Sequence, residues 1–387
     1  MRKSLPSLAL IGVLVLSATE ALGSEDQGVP QTADAPSSKS EEDGWLDSSA
    51  FLDEKYGFLP IILPITEPAV GYGAAAGLAF ISSPLGDAKA GFGRPNVTFV
   101  GGMGTGNGTW GAMAGDVRHW LDDRVQTVAG LVYASVNLDF HGIGQDSILS
   151  GNPLRYNLEP KGGLVQGKYR VGDSRIWGGL SYAFARTEVG FNAPAGTPGL
   201  PSFRNESNVG GLTPSLTYDS RDNIFTPNRG TYVEASAGLF SEGLGSDDEF
   251  QRVNLLAMQF IPLGRTLYLG IRAQASASFG DEPFYLRPFV SLRGAPIMRY
   301  QGEEVGQIEA ELRWQFWKRF SLVSFLGAGA AWNNLERFDD SQKLVTGGGG
   351  FRYELARKYG IHVGIDIAQG PDNTAVYVQI GSAWARP

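Results

Sequence analysis

A strict alternation of apolar residues with polar or very small ones is the feature that most constrains this chain. In residues 267–279, LYLGIRAQASASF, every second side chain from Leu267 to Phe279 is apolar. The same period of two recurs at 307–316 and at 361–368. Successive side chains of a β-strand point to opposite faces, so this period predicts long strands with one apolar and one polar face.

The composition favours a sheet that crosses a membrane over a soluble sandwich. Glycine makes up 53 of the 387 residues, mean hydropathy is −0.12, and the apolar strand positions are mostly small or aliphatic. Beyond the N-terminus there is no apolar run of about 18 residues, so transmembrane helices are not expected. Alternating strands can still span a bilayer as a barrel. We predict an all-β transmembrane antiparallel β-barrel with a polar lumen.

The N-terminal residues predict export and a linker before the barrel. Residues 1–23 combine a basic start, an apolar stretch at 8–16 and small residues up to Gly23, which is typical of a cleaved signal peptide. Residues 24–56 are acidic and rich in serine and proline, and we predict a disordered periplasmic linker there. The barrel is expected to occupy 57–387.

Short and long connections between the predicted strands alternate, as they do when one rim faces the periplasm and the other the cell exterior. Counting back from the C-terminus gives sixteen strands, the first at 57–65 and the last at 375–384. Fourteen strands is the alternative, because prolines interrupt the first two segments. A long loop is predicted at 280–303.

Five segments carry a recognisable pattern: TYDSRDNIFTPNRGTY at 217–232, SLRGAP at 291–296, QIEAELRW at 307–314, VYVQIGSAW at 376–384 and PIILPITEPAVGYG at 60–73. These segments resemble the BamA/TamA family of outer-membrane assembly barrels in the bacterial surface antigen superfamily. The resemblance implies a 16-stranded barrel that inserts or translocates polypeptide. It also implies periplasmic POTRA domains, for which residues 24–56 leave no room, so the chain resembles short, POTRA-free members.

The resemblance implies that the Arg293-Gly294 tip of the long loop folds back into the lumen, where Arg293 pairs with Glu311. Glu309 shares the inward face, and a guanidinium confined there needs a carboxylate partner. Gly327 stands where the family often has an acid, which predicts a less firmly held loop. The alternative is that Arg293 is a loop charge in water. Further charged residues that alternation places inward are Arg313, Arg352, Glu354 and Asp366.

A second resembling segment, before the strand predicted at 230–241, has two interpretations. One is a periplasmic turn specific to the family. The other is a solvated turn whose Asp, Pro and Gly residues set its geometry. Its residues of interest are Asp219, Arg221, Asp222, Pro227 and Gly230.

The seam where the first strand meets the last is predicted to be incompletely paired. Pro60 and Pro64 lack an N–H, and their even spacing places both missing donors on one strand edge. Gly381 lies within the predicted last strand and adds flexibility there, and Trp384 is its terminal aromatic. Unpaired strand edges can accept a visiting β-strand. The alternative is that the prolines mark an irregular lead-in and a later strand closes the barrel.

Several other activities are disfavoured. The net charge of −8 gives no basic face for nucleic acid. The chain has no cysteine, and its three histidines have no metal-ligand spacing. The glycine pattern at 106–111 is predicted to be a hairpin, because it lies between two alternating runs. We therefore expect no catalytic residue, no metal and no cofactor, and no enzyme.

Two functions stay open at this point. The first is insertion or translocation of polypeptide, or of lipid, by an integral protein of a bacterial outer membrane. The second is a passive pore or structural barrel without that activity. The expected partners are outer-membrane lipids, together with a separate periplasmic protein or client β-strands.

Overall fold

The computed structural model describes residues 39–40, 43–49, 57–81, 96–142, 149, 153–191, 203–333 and 338–384. The predicted signal peptide lies outside the described residues. Among those that are described, no helix has the length and apolar character needed to cross a membrane.

In the described residues, sixteen antiparallel strands follow one another in a single sheet, in chain order, and curve into a nearly closed barrel. This confirms the predicted fold and decides between fourteen and sixteen strands. The strands are β1 (Gly57–Ile65), β2 (Gly73–Ile81), β3 (Val97–Thr105), β4 (Trp110–Trp120), β5 (Val125–Phe140), β6 (Leu154–Arg170), β7 (Ile176–Phe191), β8 (Phe203–Asp219), β9 (Gly230–Phe240), β10 (Phe250–Pro262), β11 (Leu267–Gly280), β12 (Glu304–Trp317), β13 (Phe320–Trp332), β14 (Gln342–Ala356), β15 (Ile361–Gln369) and β16 (Thr374–Ile380).

The alternation in the sequence becomes an apolar outside and a charged inside. On β12, Ile308 and Trp314 are about half exposed on the outer face, at 52% and 50%, whereas the inward-facing Glu309 and Arg313 are buried. Charged side chains are therefore covered and apolar ones exposed, the reverse of a soluble sandwich and the arrangement expected where lipid surrounds the barrel.

The last strand is shorter than the prediction of 375–384. β16 ends at Ile380, and Gly381 has a φ of +74°, in the left-handed region that favours glycine. The backbone therefore turns away from the sheet, and the predicted role of Gly381 inside the strand is wrong. A Cβ there would lie 2.7 Å from the carbonyl oxygen of Phe225, so Gly381 is closely packed.

The long loop between β11 and β12, residues 281–303, folds back inside the barrel, as the resemblance implied. Val290 and Leu292 pack with Val305 and Leu344 in a buried cluster. Further along the loop, Tyr285, Leu286 and Met298 join a second cluster with residues of β5 to β10. Burying these apolar side chains stabilises the loop inside an otherwise polar lumen.

Part of the segment predicted to be a disordered linker has specific contacts. Residues 43–49 lie against the rim formed by the β12–β13 and β14–β15 turns, where Asp43 and Asp47 pair with Arg319. The structure differs here from the prediction of disorder because Arg319 of the barrel pairs with the two aspartates. The low hydrophobicity of the linker gave no indication of these ion pairs.

Candidate functional site in the barrel lumen

Arg293 is the centre of a buried charge cluster in the lumen. Its Nε donates to Glu309 Oε1 at 2.8 Å, and its Nη1 lies 2.9 Å from Asp366 Oδ2 and 2.7 Å from Glu311 Oε2. The guanidinium also stacks over the Phe325 ring, 3.6 Å from its centroid. Arg293 therefore occupies the lumen as the resemblance implied.

Asp366 supplies the counterion that the sequence appeared to lack. It accepts two hydrogen bonds from Arg352, at 2.6 and 2.8 Å, in addition to the bond from Arg293. At Gly327 a Cβ would lie 3.0 Å from Leu292 Cδ2, so the loop itself fills the space that an acidic side chain would need. The prediction of a loosely held loop therefore does not hold, because the acid comes from β15 instead of β13.

The surroundings keep Arg293 charged. Burial by itself would lower the pKa of Arg293, but the carboxylates of Glu311, Glu309 and Asp366 outweigh burial and raise it. Removing one of these three carboxylates would therefore leave a buried cation with part of its charge uncompensated. Such a change is strongly destabilising in general.

The loop tip is tied to both sides of the seam. The Gly294 N–H donates to the Tyr377 hydroxyl on β16 at 3.0 Å, and the Ile297 N–H donates to Glu67 Oε1, in the β1–β2 turn, at 3.1 Å. Gly294 has a φ of +92° and packs on the β15–β16 turn, where a Cβ would meet backbone at 3.0 Å. Burial raises the pKa of Glu67 above its ordinary value. The loop therefore bridges the first and last hairpins of the sheet.

Arg313 belongs to a different contact group nearer the periplasmic end. Its guanidinium lies 3.3 Å from His362 Nε2, stacks over Tyr268 at 4.6 Å and hydrogen bonds to Asn228. Glu354 accepts from Arg357 at 3.2 Å in the neighbouring turn. Alternation placed these side chains inward correctly, but they contact other residues than Arg293.

The residues after β16 enter the lumen. Gly381 and Ser382 donate their N–H groups to the carbonyls of His362 and Phe225, both at 2.6 Å. Trp384 is buried among residues of β9 and β10, and its indole N–H donates to Glu309 Oε2 at 2.6 Å. The tail thus runs from the last strand to the far wall and joins the Arg293 cluster.

The β8–β9 connection, residues 220–229, packs against the β14–β15 turn at the periplasmic end of the barrel. Arg221 is held by two hydrogen bonds to Asp219 and stacks over Tyr232, while Asp222 Oδ1 accepts from two backbone N–H groups of the same loop. Asn223 donates to the Tyr359 carbonyl at 2.7 Å. The loop therefore packs against the β14–β15 turn on one side, while Asp222 stays exposed and sets the geometry of the loop, as the second interpretation expected.

Two further residues fix the ends of that connection. Pro227 is buried, and Gly230 has a φ of +108°, with the Ser220 carbonyl oxygen 2.3 Å from where a Cβ would be. No other residue fits at Gly230 without moving the backbone. The loop is therefore held in one shape beneath the lumen.

Side-chain packing, without a backbone ladder, closes the seam in the described strands. β1 and β16 are the two ends of the sheet, and Ile380 packs beside Ile61 and Leu63. The pairing of β1 with β2 continues without a break across Pro60 and Pro64. This is expected if both proline nitrogens lie on the edge of β1 that faces away from β2. The predicted β1–β16 seam is thus present, and closure does not use a later strand.

Residues 201–375 match the model of the Omp85 superfamily domain. This stretch contains the long loop and the carboxylates that pair with Arg293. In this stretch the chain is similar to the Omp85 superfamily domain. No curated protein sequence matches the chain.

Solved structures share the fold of this barrel. BamA from Haemophilus ducreyi lacking POTRA domains 1-3 aligns with a TM-score of 0.56 and 13% identity, over 85% of this chain and 70% of that one. CdiB from Escherichia coli aligns with a TM-score of 0.60 and 11% identity, over 84% and 62%. CdiB from Acinetobacter baumannii gives 0.53 and 9%, over 84% and 59%. The chain therefore spans about three fifths of the length of the two CdiB structures.

Sequence reasoning did not identify the contacts of three residues in the lumen of this barrel. Trp384 was expected to end the last strand, Leu292 was not singled out, and His362, on the polar face of its strand, was assigned no contact. His362 lies on the same face of β15 as Asp366, and this alternation indicated an inward position for its side chain. The contacts of Trp384 and Leu292 had no local signal, because they depend on a kink and on a loop that folds inward.

Proposed function

We propose that this Omp85-type barrel inserts or translocates polypeptide at the bacterial outer membrane, through the seam between β1 and β16. The supporting observation is that these two strands are the ends of the sheet, each with one edge outside any described ladder. An unpaired edge offers N–H and C=O groups to an incoming β-strand, which is how β-augmentation works.

The filled lumen supports this proposal over a passive pore. The inward-folded loop, the C-terminal tail and the β8–β9 connection all occupy the interior or its periplasmic mouth. Trp384 and Arg293 are both buried there, at 3% and 8% exposure. A route along the seam, between the barrel interior and lipid, leaves these contacts intact.

A disulfide across the seam tests the proposal in this cysteine-free chain. Leu63→Cys with Ile380→Cys joins two positions whose side chains belong to one packed cluster. The protein would be placed in liposomes, and the folding rate of an unfolded outer-membrane barrel client would be measured with the disulfide reduced and oxidised. We expect acceleration of client folding in the reduced form and the rate of empty liposomes in the oxidised form.

The matched control is Ile367→Cys with Val376→Cys, which joins facing positions of the paired strands β15 and β16. Because that ladder is already closed, its disulfide should leave client folding unchanged. No acceleration by the reduced seam variant or by the unaltered chain would favour a structural barrel. Equal activity of the reduced and oxidised seam variants would exclude the seam as the route.

A further inference from the structure

A buried cation lies at the periplasmic rim, in the turn between β12 and β13. With residues 43–49 in place Arg319 has no exposed surface, and its Nη1 donates to the Glu354 carbonyl of the barrel at 3.2 Å. The two carboxylates that the described structure places within ion-pair distance of it belong to Asp43 and Asp47, at 2.7 and 2.9 Å. A guanidinium covered by this segment needs such partners, and the two aspartates of the segment supply them.

The occupant also has an aromatic anchor. Trp45 makes edge-to-face contacts with Trp317 and Phe320, with ring centroids 5.4 and 5.3 Å apart, and the Lys318 ammonium lies 5.7 Å from its ring. Aromatic pairs and cation–π contacts of this kind add to the burial of the ring. Trp45 thus lies between the two aspartates that hold Arg319.

Further hydrogen bonds set the direction of the segment along the rim. The Tyr353 hydroxyl donates to the Leu46 carbonyl at 2.6 Å, and the Ser48 N–H donates to the Leu355 carbonyl at 2.8 Å. The Lys358 N–H then donates to Ser49 Oγ at 3.2 Å, in the β14–β15 turn. The chain therefore runs from β12 towards β15, the side on which the seam lies.

We propose that this rim binds acidic segments of the form Asp-x-Trp-x-Asp and that residues 43–49 fill it in cis as a strap whose chain continues to β1, on the other side of the seam. The rim site consists of Trp317, Lys318, Arg319, Phe320, Tyr353 and Arg357. Ser49 and Gly57 are eight residues apart, so covalent geometry keeps them within about 29 Å. While the strap is bound, the β1 edge is therefore tethered to the β12–β15 side of the seam.

A spin label at Leu46→Cys in the full chain tests whether the strap is bound. The Leu46 side chain is 41% exposed, and the strap contacts use its backbone carbonyl. We expect an immobilised label that becomes mobile when Asp43→Asn and Asp47→Asn are added. The control is Asp122→Asn with Asp173→Asn, which removes equal charge from other periplasmic turns and should leave the label immobile. A label that is equally mobile in all three proteins would overturn the strap.

A synthetic peptide of residues 40–50, labelled with fluorescein, tests recognition by the rim site. It would be added to the full chain carrying Asp43→Asn and Asp47→Asn, in which the site is vacated. We expect saturable binding, lost when the peptide carries Trp45→Ala and lost in protein carrying Arg319→Gln. Absence of binding by the unaltered peptide would overturn the rim site.

The seam pair Leu63→Cys with Ile380→Cys tests the tether. We expect disulfide formation to slow several-fold when Asp43→Asn and Asp47→Asn release the strap, and the peptide in trans not to restore it, because the peptide has no link to β1. An unchanged rate on strap release would overturn the tether. Label mobility, peptide binding and crosslinking need no client protein, so these results are independent of the proposed insertion activity.

Discussion

Trp384 donates its indole N–H to Glu309 at 2.6 Å, although Trp384 follows the last strand and Glu309 faces inward from β12. The other oxygen of Glu309 accepts from Arg293 in the long loop. One carboxylate thus joins the C-terminal tail, the loop and the barrel wall. The end of the last strand is therefore coupled to the charge cluster in the lumen.

Trp384→Phe should destabilise the barrel while keeping most of the ring packing. It removes one hydrogen bond to a buried carboxylate, which contributes about 1.5–3 kcal/mol to the free energy of unfolding. Urea unfolding in detergent, followed by heat-modifiable migration, measures the change. Trp314→Phe is the control, because Trp314 lies on the outer face of β12, the strand that carries Glu309. Equal stability of the two variants would show that the Glu309 bond contributes nothing.

Asp366→Asn should destabilise the barrel more than Glu311→Gln. Asp366 is fully buried and neutralises both Arg352 and Arg293, so we expect a loss of about 3–5 kcal/mol, as for other broken buried pairs. Glu311 has one close cation and is slightly exposed, so its loss should be smaller. Denaturant unfolding of both variants gives the order, and a reversed order would contradict the assignment of Asp366 as main counterion.

Gly327→Asp should rescue Asp366→Asn only when Leu292→Ala is also present. Leu292 fills the space beside Gly327, so an aspartate there would clash unless the leucine is shortened. The measurement is the unfolding midpoint of the double and triple variants. Rescue by Gly327→Asp alone would show that Leu292 does not control this space.

Gly381→Ala should destabilise the barrel more than Gly71→Ala. The two glycines have similar φ values, +74° and +79°, and each pays about 1–2 kcal/mol for a Cβ in the left-handed region. At Gly381 the new Cβ would also meet the Phe225 carbonyl at 2.7 Å, whereas Gly71 has open space. Thermal unfolding midpoints and protease sensitivity of the C-terminus distinguish the two, and matching losses would mean that the tail does not need its kink.

Strap release should require acid. A hydrogen bond from Arg319 lowers the pKa of Asp43 from its ordinary 3.8 to about 2. Burial alone would raise the pKa of Asp47, but hydrogen bonds from Ser49 and Arg319 outweigh burial and lower it. Because both bound-state pKa values are depressed, the stabilisation is complete above about pH 4 and is lost as pH falls towards 2.

The spin label at Leu46→Cys measures this pH dependence. It should stay immobile from neutral pH down to about 4 and become mobile below that. The charged groups facing the two aspartates, Arg319 and Arg357, do not titrate in this range. Release between pH 5 and 7 would mean that other groups control the strap.

The alternation in β12, β14 and β15 was sufficient to predict a barrel of long strands and the inward charges Glu309, Arg352 and Asp366, whereas the choice of sixteen strands over fourteen needed the structure. Period-two patterns are local, and lipid outside a barrel selects the apolar face without reference to the rest of the chain. The glycines and prolines of the turns also act locally. For these features the sequence by itself determined the outcome.

Only the tertiary structure decided which of these charges meet. Asp366 replaces the acid missing at position 327, Trp384 turns inward at Gly381, and Asp43 reaches Arg319, which lies 276 residues further along the chain. Each contact joins segments that come together only after the sheet curves and the loop folds into it. Pairing of distant charges depends on the space left by neighbouring side chains, and alternation along one strand carries no information about that space.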